Sequence, residues 1–248
     1  MHMNECTIHP LPLCTLSMNK GYFTYLVFSN YTQQVRFPVY SWLILGAQEP
    51  ILVDVGFTLQ DLSDELGNSE QLKQIAPEEI ITIEAALAKF NLTTNEIKTI
   101  ILTQLHIDHI HNAKRFPNAK FIVQEEELEF ALHPHPLYSG ARPGTLCDEL
   151  NFEVIRGDAE IVPGVDVILT PGHTPGGQSV AVNTGHGKAV ICGMCTIDEN
   201  FSYGETIVIP GMHSDPFKAY DSMLKISETA DIIIPLHSQR HIRTSSIP

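Results

Sequence analysis

The sequence predicts an α+β fold in a single domain spanning residues 1–248, and three observations carry that expectation. Short runs rich in β-branched and aromatic residues recur along both halves of the chain, each closed by glycine, proline or asparagine, as strands are. Helical patterns follow the strands, so that strands and helices fall into two successive halves. With 248 residues and 43% apolar content, the chain can bury one substantial core, and single α/β domains commonly reach this size.

Taken in order, residues 22–29, 39–45 and 51–55 read as the opening strands, punctuated by Asn30, Gly46 and Pro50. Residues 57–76 mix polar and apolar positions without a clear period. Pro77-Glu78-Glu79 reads as the first turn of a helix running toward Phe90, and Thr94-Asn95-Glu96-Ile97 as a capped turn into the strand Thr99–Leu102. A short helix over Asn112–Phe116, a strand over Lys120–Val123 and a charged helix over Glu125–Leu132 come next. His133–Gly144 is the longest proline- and glycine-rich segment and reads as a loop over a pocket. Phe152–Ile155, Val165–Leu169, Gln178–Val182 and Ala189–Ile191 complete the strands of the second half, with Gly185-His186-Gly187 as a hairpin turn that exposes His186. Asp215-Pro216 supplies the N-cap and first residue of a helix ending near Glu228, and Asp231–Ile234 is the last strand.

The chemistry concentrates where strands end. Thr99-Ile100-Ile101-Leu102 runs into Thr103-Gln104-Leu105-His106-Ile107-Asp108-His109-Ile110-His111-Asn112, which places three imidazoles and a carboxylate within six residues. Imidazole nitrogen and carboxylate oxygen suit a borderline divalent metal such as zinc, iron or manganese. Two later segments present one histidine each after a strand, His173 in Pro171-Gly172-His173-Thr174-Pro175-Gly176 and His237 in Pro235-Leu236-His237.

Three strand-end histidine sites in this order resemble the metallo-β-lactamase fold superfamily, whose metal motif is His-x-His-x-Asp-His, then a distant His, an Asp and a last His. The likeness reaches upstream to Ile51-Leu52-Val53-Asp54-Val55-Gly56. Through Pro38–Ile44 and Phe116–Lys120 it is nearest to the acyl-homoserine-lactonase-like metallohydrolases. The resemblance implies an αββα four-layer sandwich with a metal at one edge. It also implies a hydrolase that opens a small cyclic ester by attack of a metal-bound hydroxide. Asp54 is then a partner that orients a ligating histidine. The chain departs from the pattern twice, with Gln104 at the first His and Gly193-Met194 where the family has Gly-Asp. Neither an amide nor a thioether replaces imidazole or carboxylate well as a ligand. The first metal position keeps only His106 and His173, while the second keeps Asp108, His109 and His237. One tightly bound ion is expected, zinc before iron or manganese, with a second site weak or absent. Asp108, His106 and His173 are the expected catalytic groups. Cys195, one residue past Met194, comes near the bridging position, but the pleat of a strand would turn it to the opposite face. Gln104, His111, His133, His135, Arg142 and Met194 are expected around the substrate. Two other readings stay open: a mononuclear non-haem iron oxygenase, because two histidines and a carboxylate also make that site, and a non-catalytic metal- or metabolite-binding homologue.

Charge and composition narrow the partners. A formal net charge of -14 opposes binding to a polyanion, so the expected partner is a small molecule and not a nucleic acid. No long apolar segment is present, and residues 1–20 lack a basic start followed by a hydrophobic core, which predicts neither membrane insertion nor secretion. Five cysteines in an odd set, Cys6, Cys14, Cys147, Cys192 and Cys195, fit the reducing cytoplasm. Cys192 and Cys195 have redox-dithiol spacing without the surrounding βαβ context. A homodimer is left open.

Overall fold

The computed structural model describes residues 5–66, 70–141, 144–202 and 206–247. Among them, β1 (Thr7–Asn19), β2 (Gln34–Leu45), β3 (Ile51–Val53), β4 (Glu78–Glu79), β5 (Thr99–Ile101), β6 (Lys120–Gln124) and β7 (Phe152–Ile155) form one sheet in the order β4-β1-β2-β3-β5-β6-β7. A second sheet has the order β12-β11-β10-β9-β8, from β8 (Ala159–Val162), β9 (Val165–Leu169), β10 (Gln178–Thr184), β11 (Gly187–Ile191) and β12 (Ile232–Ile234). β3, β5, β6 and β7 run parallel, as do β11 and β12.

The two sheets face one another because alternate residues of their strands are apolar on both sides. Ile51 and Val53 of β3, Val180 and Val182 of β10 and Ala189 and Ile191 of β11 meet in a shared core around Trp42, which is fully buried. Their neighbours point outward. Leu52 packs under α3 (Ile83–Ala88) and α4 (Ile107–Ile110), while Ala181 and Val190 pack under α6 (Pro216–Thr229). With α1 (Leu59–Leu66), α2 (Glu70–Ile75) and α5 (Glu125–Leu132), the layers run helix, sheet, sheet, helix. A strand whose every position is apolar requires cover on both faces, and these helices supply it.

Several elements differ from expectation. Residues 22–29 are not a strand. They lie among the short 3₁₀ turns Lys20–Tyr22 and Phe28–Thr32, with Tyr22, Leu26 and Phe28 exposed and Leu26 in the left-handed region at φ 58°. The long strand lies before them, at Thr7–Asn19, where Pro10 and Pro12 argue against a central strand. They are tolerated because β4 pairs only with Cys14 and Thr15, leaving one side of β1 open at the prolines, and the register shifts between Pro12 and Cys14. Pro77-Glu78-Glu79 does not open a helix. Glu78 and Glu79 pair with β1, and α3 starts after Thr82, whose hydroxyl accepts from the Ala85 N–H. Asp215 and Pro216 begin α6 as expected, the Asp215 carboxylate accepting from the Phe217 and Lys218 N–H groups. No helix among the described residues is long and apolar enough to cross a membrane.

Candidate metal centre

The polar residues gather beyond the C-terminal ends of β3, β5, β9, β11 and β12, the edge where loops of parallel strands usually carry ligands. Construction starts at Asp54, which turns the chain out of β3 with φ 55°, a conformation Asp and Asn tolerate better than most residues. Its carboxylate is fully buried and accepts three hydrogen bonds. The Thr103 N–H donates to Oδ1 at 2.8 Å; the Thr103 hydroxyl and the His109 Nδ1–H donate to Oδ2 at 2.7 and 2.8 Å. That last bond commits His109 Nδ1 and turns its Nε2 toward the cavity and Asp108.

His237 is held in the same manner. Its Nδ1–H donates to the Pro38 carbonyl at 2.9 Å, and its ring stands edge-on to Phe23 and Phe37. Asp108, on the single turn of α4, lies between the two rings: its Oδ2 is 3.3 Å from His109 Nε2 and 3.9 Å from His237 Nε2. Ligand atoms of Asp108, His109 and His237 all fall within 4.8 Å of one another. Burial disfavours charge on His109, yet Asp108 and Asp54 outweigh it and raise its pKa to about 10. Burial likewise opposes ionisation of Asp108, but the surrounding imidazoles hold its carboxyl far below the ordinary range. The half-buried Asp108 carboxylate facing two imidazoles is an arrangement that could hold a cation. The donor set, two imidazole Nε2 atoms and one carboxylate, fits zinc or a similar ion, which would take the place of the proton His109 otherwise carries.

Beside this trio lie the groups expected at a first metal position. His106 and His173 stand with ring centroids 5.0 Å apart. Burial lowers their pKa values to about 4 and about 3, and the His106 ring further disfavours charge on His173. Both are therefore neutral at pH 7. The His173 Nδ1–H donates to the Met212 carbonyl at 2.7 Å, again reserving Nε2. Gln104 is 1% exposed, and neither atom of its amide has a hydrogen-bond partner in the protein. Buried amides of this kind call for an explanation, and a bound ligand or water is the usual one.

These side chains open on a cavity of about 500 Å³, walled on its apolar side by Leu16, Met18, Phe37, Phe57, Leu62 and Phe130. Not every expected pocket residue reaches it. Met194 is fully buried against Ile209, Ala219 and Met223, on the helix side of the sheet, while Cys195 lines the cavity in its place. The reason is that β11 ends at Ile191, so strand alternation no longer governs which way residues 194 and 195 point. His133 is exposed near Glu129, and His135 is exposed, with its Nδ1 accepting from the Leu137 N–H. From that loop it is Leu137 and Tyr138 that reach the cavity. His111 sits on the turn after α4 and does not line the cavity. Arg142 lies outside the described residues. His213 was not foreseen. It lines the cavity with its Nδ1–H bonded to the Pro210 carbonyl at 2.8 Å and its ring edge-on to Tyr25, and only its place in an irregular stretch before α6 could have hinted at it.

A structure of two facing sheets with a histidine-carboxylate cluster at one edge defines a class of protein, and a family model agrees: residues 35–193 match the metallo-beta-lactamase superfamily, to which this chain belongs. The N-acyl homoserine lactonase of Bacillus thuringiensis is 31% identical over 201 residues, covering 78% of this chain and 77% of the relative. The N-acyl homoserine lactonase AttM of Rhizobium radiobacter is 29% identical over 150 residues, 55% and 54% of the two chains. Among solved structures, an N-acyl homoserine lactone hydrolase with the product N-hexanoyl-L-homoserine bound at its catalytic metal center superposes with a TM-score of 0.75 at 26% identity, covering 97% of this chain and 95% of that one.

Proposed function

We propose that this protein is a metal-dependent hydrolase that opens lactones of the N-acyl homoserine type, working with one tightly held divalent ion. The observation that carries the reading is the convergence of Asp108, His109 and His237 on one point at the floor of the cavity. Zinc is the ion that ligand set suits best, and the second position, reduced to His106 and His173 beside an amide, is weak or absent.

A divalent ion at the trio would supply polarisation of the ester carbonyl and acidification of water toward neutral pH. The remaining work belongs to the side chains. Neutral His106 and His173 stand as bases, and His173 Nε2 is the acceptor because Nδ1 is committed to Met212. One of them takes the proton from the attacking water and returns it to the departing alkoxide as the ring opens. The Gln104 amide, unpaired and facing the same space, offers N–H groups to the carbonyl oxygen on which charge develops. The apolar wall from Leu16 to Phe130 takes an acyl chain, and a volume of about 500 Å³ is within the range of small-molecule sites.

The test is ring opening, followed by proton release from N-acyl homoserine lactones of several chain lengths, with oxygen uptake recorded in parallel. Ring opening without oxygen consumption is expected; oxygen uptake without ring opening would instead establish the iron-oxygenase alternative. We further take residues 1–248 as one domain, its two sheets sharing one core. A cytoplasmic setting is supported by Cys6, Cys14, Cys147, Cys192 and Cys195, all buried and none in a disulfide. A small molecule, and not nucleic acid, is the partner; whether two copies pair is a matter for light scattering.

A further inference from the structure

We propose that His213 sets the substrate preference of the site, its Nε2 accepting the N–H of the amide that joins the acyl chain to the lactone ring; this rests on the lactonase reading above. The backbone is anchored on both sides of the residue. Before it, the Met212 N–H donates to the Tyr22 carbonyl at 2.9 Å, and the Met212 carbonyl accepts from the His173 Nδ1–H at 2.7 Å. After it, the Ser214 N–H donates to the Gly172 and His173 carbonyls at 2.7 and 3.1 Å. His213 is thus held between two residues that are bonded to His173 itself, on the wall of the same cavity. A Cβ on Gly211 would stand 1.8 Å from the Gly21 carbonyl oxygen, so the stretch is pressed against the Lys20–Tyr22 turn with no room to slide.

The ring is held as firmly as the backbone. Its Nδ1–H donates to the Pro210 carbonyl at 2.8 Å, and it meets the Tyr25 ring edge-on with centroids 4.7 Å apart. A carbonyl oxygen can only accept, so Nδ1 carries a hydrogen and, in the neutral ring, Nε2 presents a lone pair. Among the described residues that nitrogen has no hydrogen-bond partner, and the residue is half-buried, so it is open to a ligand. The neighbouring Tyr138 hydroxyl has already given its hydrogen to the His213 carbonyl at 3.1 Å. An N-acyl homoserine lactone carries a single N–H, in the amide between ring and chain. With the ring ester at the metal floor and the chain against the apolar wall, that N–H is the donor left to match an acceptor. An ester oxygen in its place would set one lone pair against another, and a site built to bond an N–H discriminates against the analogue that lacks it.

The experiment measures kcat and KM of the metal-loaded protein for N-hexanoyl homoserine lactone and for its oxygen analogue, α-hexanoyloxy-γ-butyrolactone, in wild type, His213→Phe and His213→Gln. Phenylalanine keeps a ring against Tyr25 and removes the acceptor; glutamine restores one. The preference for amide over ester, as a ratio of kcat/KM, is expected to be about tenfold greater in wild type than in His213→Phe, the worth of one hydrogen bond. Dividing one ratio by the other cancels the unequal intrinsic reactivity of the two lactones. The loss should fall on KM for the amide with kcat nearly unchanged, because the bond is made equally in ground and transition states, and His213→Gln should recover part of it. Equal ratios in wild type and His213→Phe, or a loss that glutamine does not recover, overturn the assignment of His213 and leave the hydrolase reading standing. Opening of neither lactone by wild type overturns both. Should the variants not fold, a crystal structure of wild type with ring-opened N-hexanoyl homoserine decides the matter: an amide nitrogen within about 3.2 Å of His213 Nε2 supports the proposal, and one turned to any other acceptor contradicts it.

Discussion

His109, His173 and His237 share one device: each commits its Nδ1–H to a fixed acceptor, Asp54, the Met212 carbonyl or the Pro38 carbonyl, and keeps Nε2 for the cavity. The ring orientations are set before any ligand arrives, which lowers the cost of binding one. Asp54→Asn tests the device at one position, because asparagine keeps the left-handed backbone but loses the charge and one acceptor. We expect zinc affinity to fall by about 10- to 100-fold, read by competition with a chromogenic chelator, with little change in the folded spectrum. An unchanged affinity would show that His109 needs no such support. At this scale the sequence was informative about His106, Asp108, His109, His173 and His237, whose residue types and strand-end positions announce a ligand set. It turned Cys195 the wrong way and was silent on His213, because beyond Ile191 and before α6 the chain follows no period from which side-chain direction can be read. The same lack of periodicity misled the choice of His133 and His135 over Leu137 and Tyr138.

Loops that carry the site are tied to one another by buried polar groups within elements that looked merely structural. Glu127, on α5, is 2% exposed and reaches across to accept from the Leu105 N–H at 3.0 Å and the Gly176 N–H at 3.2 Å, clamping the His106 loop to the His173 turn. Glycine is required at 176, since a Cβ there would lie 2.1 Å from the Glu127 backbone nitrogen. In Glu127→Gln one of the two N–H groups meets an amide N–H in place of an acceptor. Destabilisation of about 1–3 kcal/mol is expected from urea denaturation; a midpoint equal to wild type would refute the clamp. From sequence, Glu125–Leu132 reads as a charged helix, and nothing in its pattern marks Glu127 as buried. The helix α6 was legible, since an Asp-Pro pair is a local signal, whereas β1 was not, because its tolerance of proline depends on how little of it β4 covers.

Another element, the short turn Gln239–His241, gives the fold a dependence on pH. His241 is 8% exposed, edge-on to Trp42, and neither of its ring nitrogens has a partner in the protein. Burial, reinforced by Arg240, lowers its pKa to about 4 from an ordinary 6.5. A histidine with a depressed native pKa binds protons more readily unfolded than folded, so its contribution is intact above pH 6.5 and is lost as pH falls toward 4. His241→Phe should therefore flatten the fall in urea midpoint across that window relative to wild type. Parallel curves for the two proteins would place the acid sensitivity elsewhere.

For the molecule as a whole, two sheets with alternating apolar faces build the core, and their parallel strands deliver Asp54, His109 and His237 to one edge. That architecture was legible because strand-length apolar runs and three separated histidine loops occur in the order the superfamily uses. Pairing order was less so, since it depends on contacts such as Thr7–Leu45 between distant residues. The account stands or falls on one ion held by Asp108, His109 and His237. Its most direct test is the number of zinc equivalents retained per chain after stripping, reloading and desalting, compared among wild type, Asp108→Ala, His237→Ala and His173→Ala. One equivalent in wild type and in His173→Ala, with close to none in Asp108→Ala and His237→Ala, is the predicted result; two equivalents in wild type, or full retention by Asp108→Ala, would contradict it.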